Sequence, residues 1–136
     1  MKTTIETKTV GKITINSEYI GNKLAQWGGK QQNYHNHLVT VTHNKKRYSF
    51  DFWGSIASPK IANGQENVFA FYCSLSDGIS AKESFDDFCS NLGYDEDSRE
   101  AERIYKACVK TLTKLERVFN CDLYDLINEI QKSYNC

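Results

Sequence analysis

The chain has 136 residues, 40% hydrophobic and 25% charged, the size and balance of one ordinary folded domain. Its 17 Lys and Arg match its 17 Asp and Glu, which excludes both a wholesale acidic nucleic-acid mimic and a histone-like coat protein. The opening MKTTIETKTV carries no long apolar run, and no stretch approaches the roughly 18 apolar residues of a membrane helix, so a cytoplasmic protein without a signal peptide is expected.

The first half alternates with period two. In KITINSEYI, Ile13, Ile15 and Tyr19 share one parity and Thr14, Asn16 and Glu18 the other, the pattern of a half-buried strand. The next stretch, GNKLAQWGGKQQNYHN, is polar and glycine-bearing and reads as a long connection. HLVTVTH puts Val39 and Val41 on one face. RYSFDFWG puts Tyr48, Phe50 and Phe52 on one face and Ser49, Asp51 and Trp53 on the other. The short polar HNKKR between them predicts an antiparallel hairpin.

Pro59 and Gly64 punctuate the middle, and the period then changes to that of helices. Val68, Phe71, Tyr72 and Leu75 recur at three and four, with Gly78 near the expected end. Ser84 is placed to cap a short helix carrying Phe85, Phe88, Cys89 and Leu92. Gly93 then provides a left-handed C-cap, with Tyr94 folding back onto the preceding turn. Asp97 and Glu100 have capping-box spacing for a long amphipathic helix through Ala101, Ile104, Tyr105, Cys108, Leu112, Leu115 and Phe119. Its Arg and Lys residues read as a solvated face, with Glu102 and Lys106 paired across one turn. A last helix, capped by Asp122, carries Leu123, Leu126, Ile127 and Ile130. Strands first and helices after predict a single α+β domain over 1–136, strand-rich over 7–57 and helix-rich over 65–134. Three to four antiparallel strands would carry three to four helices on one face.

The chemistry-bearing residues have simpler structural explanations. Asp95, Asp97 and Glu100 begin like a calcium loop, but Arg99 stands where a ligand would be and no glycine follows it. His35, His37 and His43 share a strand parity, but the span to His43 is about 26 Å and no acid or cysteine completes a metal site. The five cysteines, Cys73, Cys89, Cys108, Cys121 and Cys136, form no C-x-x-C. They read as free thiols, all but Cys136 on helices. No phosphate loop, dinucleotide fingerprint or nucleophile elbow occurs, so no catalytic residue, metal ligand or cofactor is assigned. Two features suggest binding. Lys45, Lys46 and Arg47 concentrate charge at the hairpin tip beside aromatics, a combination that can grip nucleic acid. Trp27 in the polar stretch, and Trp53 if its strand face is open, are candidate anchors for a protein partner.

The segment SFDDFCSNLGYDEDSREAERIYKACVK, followed by LYDLINEI, resembles a group of small phage and prophage proteins. In these, F-x-x-[FW]-C precedes G-Y-[DE]-x-[DE]-S-[RK]-x-A-E-x-x-Y. The close match runs from Phe85 to about Lys110, roughly a fifth of the chain. It implies an accessory protein of a mobile element but transfers no catalytic residue. The expectation that follows is a stoichiometric protein that binds and inhibits a bacterial immune effector, as anti-CRISPR proteins do, by steric occlusion or conformational locking. It would act in the host cytoplasm through Trp27, Trp53 and the hairpin tip. A nucleic-acid-binding accessory protein using the basic tip is one alternative; a small enzyme acting on a signalling nucleotide is a second. Homodimerisation through an open sheet edge is compatible with all three.

Overall fold

The computed structural model describes residues 2–27, 30–53 and 65–135; Pro59, Gly64 and Cys136 lie outside them. Four strands come first: β1 (Lys2–Thr7), β2 (Gly11–Trp27), β3 (Lys30–His43) and β4 (Lys46–Trp53). They form an antiparallel meander in the order β1-β2-β3-β4. Four helices follow: α1 (Gln65–Ser80), α2 (Phe85–Leu92), α3 (Arg99–Val118) and α4 (Leu123–Asn135). The α+β expectation is met, and the sheet begins at residue 2 rather than 7. In KTTIET only Ile5 is a large apolar residue, and threonines supply the rest of the half-buried parity.

Cross-strand register explains which face is covered. Thr3, Ile15, Val41 and Tyr48 form one row, and Ser17, Val39 and Phe50 the next. Ile13, Ile15, Val39, Val41 and Tyr48 are buried there beneath Val68, Phe71 and Leu75 of α1. Removing this apolar surface from water is the dominant stabilising term. Asn67 of α1, fully buried, donates from Nδ2 to the Ile15 carbonyl at 3.1 Å and to Thr3 Oγ1 at 3.2 Å, which fixes α1 against β1 and β2. Leu115 and Val118 at the end of α3, Phe119 just past it, and Leu123, Leu126 and Ile130 of α4 complete this core. A smaller cluster forms where α2 meets the first half of α3, around Phe88, Cys89, Ala101 and Cys108.

The helix ends follow local chemistry. Ser84 Oγ accepts from the Asp87 N–H at 3.2 Å. Gly93 closes α2 at φ 76, and the Tyr94 N–H reaches the Cys89 carbonyl at 2.9 Å, with Tyr94 stacked on Phe88. The cap of α3 is one residue later than its capping-box spacing predicts. Ser98 Oγ accepts from the Ala101 N–H at 3.3 Å, whereas Asp97 gives its own N–H to Asp95 Oδ1 at 3.0 Å. The segment from Phe85 to Lys110 is therefore a capped helix pair. At the start of α4, Asp122 Oδ1 accepts from the Tyr124 N–H at 2.8 Å. Gly78 is not a cap. It lies buried within the last turn of α1, where α3 crosses so closely that an added Cβ would collide with the Leu115 side chain and sit 3.3 Å from Leu112 Cα.

Candidate binding surfaces

The largest departure from the sequence reading lies in GNKLAQWGGKQQNYHN. It is not a loop. Its described residues continue β2 and β3 as a two-stranded ribbon, paired from Gly21↔Asn36 to Trp27↔Lys30. Lys, Gln, Asn and Gly are poor strand formers by propensity, but here the partner strand satisfies the backbone of each. The register shifts between Tyr19 and Gly21, where Ile20 is the extra residue and Gly21 has φ 125. Beyond this bulge the ribbon leaves the helical cover. Tyr19 is 57% exposed, Ile20 48% and Leu24 65%.

Both strands of the ribbon have an unpaired side. The partners of β2 on the β1 side stop at Asn16↔Lys2, and those of β3 on the β4 side begin at Asn36↔Trp53. Among the described residues, no strand pairs with the ribbon beyond those points. At its base, Tyr19 lies edge-on to His35 (5.4 Å between ring centres) and His37 (5.9 Å), and its hydroxyl donates to Asn22 Oδ1 at 2.6 Å. Burial, then the neighbouring His35 and the N-terminal charge, lowers the His37 pKa below the usual imidazole value.

Trp27 is the last residue of β2, opposite Lys30. Trp53 ends β4 opposite Asn36, at the base of the ribbon. The side chains of both tryptophans lie outside the described residues. Lys45, Lys46 and Arg47 are exposed at the β3–β4 turn, where Asn44 (φ 49) and Lys45 (φ 66) make the tight two-residue reversal that matches strand twist. The hairpin forms as its composition predicts, but the tip and Trp27 do not share a surface. They stand at opposite ends of β3, whose 14 residues span about 45 Å. Any single compact interface must use one or the other.

His43 is not solvent-facing. It is 6% exposed, stacked on Phe119 with ring centres 5.2 Å apart, and its Nδ1 lies 3.1 Å from the Lys12 carbonyl. A carbonyl only accepts, so Nδ1 carries the proton. Among the described residues no three His, Cys, Asp or Glu side chains cluster as metal ligands. The four described thiols are poor nucleophiles. Burial and the nearby Asp77 push Cys73 up to about 11, and burial likewise raises Cys89, Cys108 and Cys121. Cys121 lies between α3 and α4 rather than on a helix. Among the described residues no helix is long and apolar enough to cross a membrane.

The outward face of α3 is more than a diffuse solvated surface. Arg99, Arg103, Lys106, Lys110, Lys114 and Arg117 recur at steps of four, three, four, four and three. At 100° per residue they fall in a stripe about 80° wide, opposite the buried stripe of Ala101, Cys108 and Leu115. The three-four recurrence of cations is visible in the sequence. Searches of family models, curated proteins and solved structures found no match to this chain.

Proposed function

We propose that the protein is a stoichiometric binding protein that engages a macromolecular partner through the β2–β3 ribbon and acts by occlusion. The observation that carries this reading is the exposed apolar group Tyr19, Ile20 and Leu24 on a ribbon with open strand edges. Exposed apolar and aromatic side chains can form contact hot spots, and open edges accept a partner strand. The resemblance of Phe85–Lys110 to phage and prophage proteins supplies the setting: the partner is a bacterial immune effector, and the activity is anti-CRISPR in kind. Trp27, at the end of β2, and Trp53, at the base of the ribbon, are the aromatic anchors on that side of the molecule.

The test begins with nuclease-treated affinity purification from a CRISPR-bearing host and continues with the recovered effector in a target-cleavage assay. Inhibition should saturate at one equivalent of protein. A variant carrying Ile20→Lys and Leu24→Glu, and separately Trp27→Ala, should lose inhibition while retaining the parent's melting temperature. Full inhibition by the Ile20/Leu24 variant, or no inhibition by the parent at tenfold excess, would refute the reading.

A further inference from the structure

A second surface, independent of the ribbon, has a different chemistry. The six cations of the α3 stripe are all exposed, with Arg103 78% and Lys106 71% accessible. Helix α3 holds six Lys or Arg against three Glu, although the whole chain is charge-balanced. The stripe is weakly compensated. Lys106 meets Glu102 at 2.9 Å and Arg103 meets Glu100 at 4.0 Å, both in the open, where such pairs contribute little. Among the described residues Lys114 and Arg117 bond to neutral backbone carbonyls, those of Ser49 and Arg47, and to no carboxylate. Among the described residues Arg99 and Lys110 have no carboxylate partner. These bonds to β4 also bring the end of the stripe to the exposed tip at Lys45, Lys46 and Arg47.

We infer that the outer face of α3, continued by the β3–β4 tip, binds the phosphate backbone of duplex DNA. From Arg99 to Arg117 the helix runs about 27 Å. Over that length one strand of B-DNA presents about eight phosphates. The stripe itself contains no aromatic residue, so it offers no platform for stacking unpaired bases, which favours duplex over single strand. The stripe holds only Lys and Arg, the residues that supply most phosphate contacts, and no Asn or Gln to read adenine, so the contact inferred is with the backbone.

The test is fluorescence anisotropy of a labelled 24-base-pair duplex with the purified full chain. With about five phosphate contacts, affinity should fall roughly 500-fold between 50 and 200 mM salt. The doubly reversed variant Arg103→Glu, Lys110→Glu should bind at least tenfold more weakly at 50 mM salt. Its log–log salt slope should be shallower by about two. Glu102→Gln, which uncovers Lys106, should bind more tightly, a gain that misfolding cannot produce. Thermal melts confirm that each variant is folded. Absence of binding at 50 mM salt with 50 µM protein would overturn the inference. So would an unchanged affinity in the doubly reversed variant, or tighter binding of a 24-nucleotide single strand than of the duplex.

Discussion

The guanidinium of Arg117 donates to the backbone carbonyl of Arg47 at 3.0 Å, joining residues 70 positions apart. Lys114 does the same to Ser49 at 3.2 Å. Among the described residues strand β4 is an edge strand, and an uncovered row of carbonyls is a template for pairing with another chain. Two cations from α3 occupy that row. Replacing both with Met should lower stability by about 1–2 kcal/mol in urea denaturation. It should also make sedimentation concentration-dependent as the edge opens. A variant that stays monomeric and equally stable would show that the edge is protected by something else.

Gly78 sets the distance between α1 and α3. Substituting Ala would gain about 1 kcal/mol in helix propensity. The added methyl would meet the buried Leu115 side chain and press on the backbone of Leu112, and overpacking of this kind costs about 1–3 kcal/mol. Overpacking should win, so Gly78→Ala is expected to be destabilising by urea denaturation even though it lies in a helix. A stabilised variant would mean that α3 can move away at no cost.

Tyr48 and Ser74 form a hydrogen bond of 3.0 Å between side chains that are 3% and 4% exposed. Burial raises the Tyr48 pKa well above the ordinary phenol value, only partly offset by the Ser74 bond, so the proton stays in place at any working pH. Ser74→Ala leaves the hydroxyl without its partner and should cost about 1–3 kcal/mol. Adding Tyr48→Phe should recover part of that loss. A double-mutant cycle with a coupling below about 0.3 kcal/mol would show that the bond does not hold α1 to β4.

Glu129 of α4 accepts from the Lys8 N–H at 2.6 Å and from the Thr9 N–H and hydroxyl at 3.0 and 2.8 Å, gripping the β1–β2 turn. Burial alone would raise its pKa, but these bonds and the Lys8 charge outweigh it and hold the carboxyl below its ordinary value. A depressed folded-state pKa stabilises the fold above the unfolded value near 4.5, and that contribution is lost as the pH falls through the folded value. Glu129→Ala should therefore cost about 1 kcal/mol at pH 7, and the gap between variant and parent melting temperatures should close toward pH 3. A gap independent of pH would assign the effect to packing instead.

Much of the helical half was legible in the sequence because its signals are local. Ser84, Gly93, Tyr94 and Asp122 act within one turn of their own position, and the three-four rhythm of α3 reports its buried face directly. The cap of α3 was misplaced by one residue because Asp97 and Ser98 can both cap. The choice falls to the phase that buries Ala101, which is a tertiary matter. The polar stretch around Trp27 failed for another reason. Period-two alternation of apolar and polar residues marks a strand, and this polar stretch carries no such alternation.

Local sequence suffices for the α+β order, the parity of the core strands, the hairpin at HNKKR and most helix ends. Each depends on steric preference or hydrophobic periodicity within a few residues. Tertiary structure alone decided that Gly78 is a crossing point, that His43 is buried beneath Phe119, and that Trp27 and the basic tip lie at opposite ends of the sheet. It also brought the cations of α3 to the β4 edge. Those relationships join residues tens of positions apart, and their free energy comes from area removed from water and from charges brought together, which local sequence does not encode.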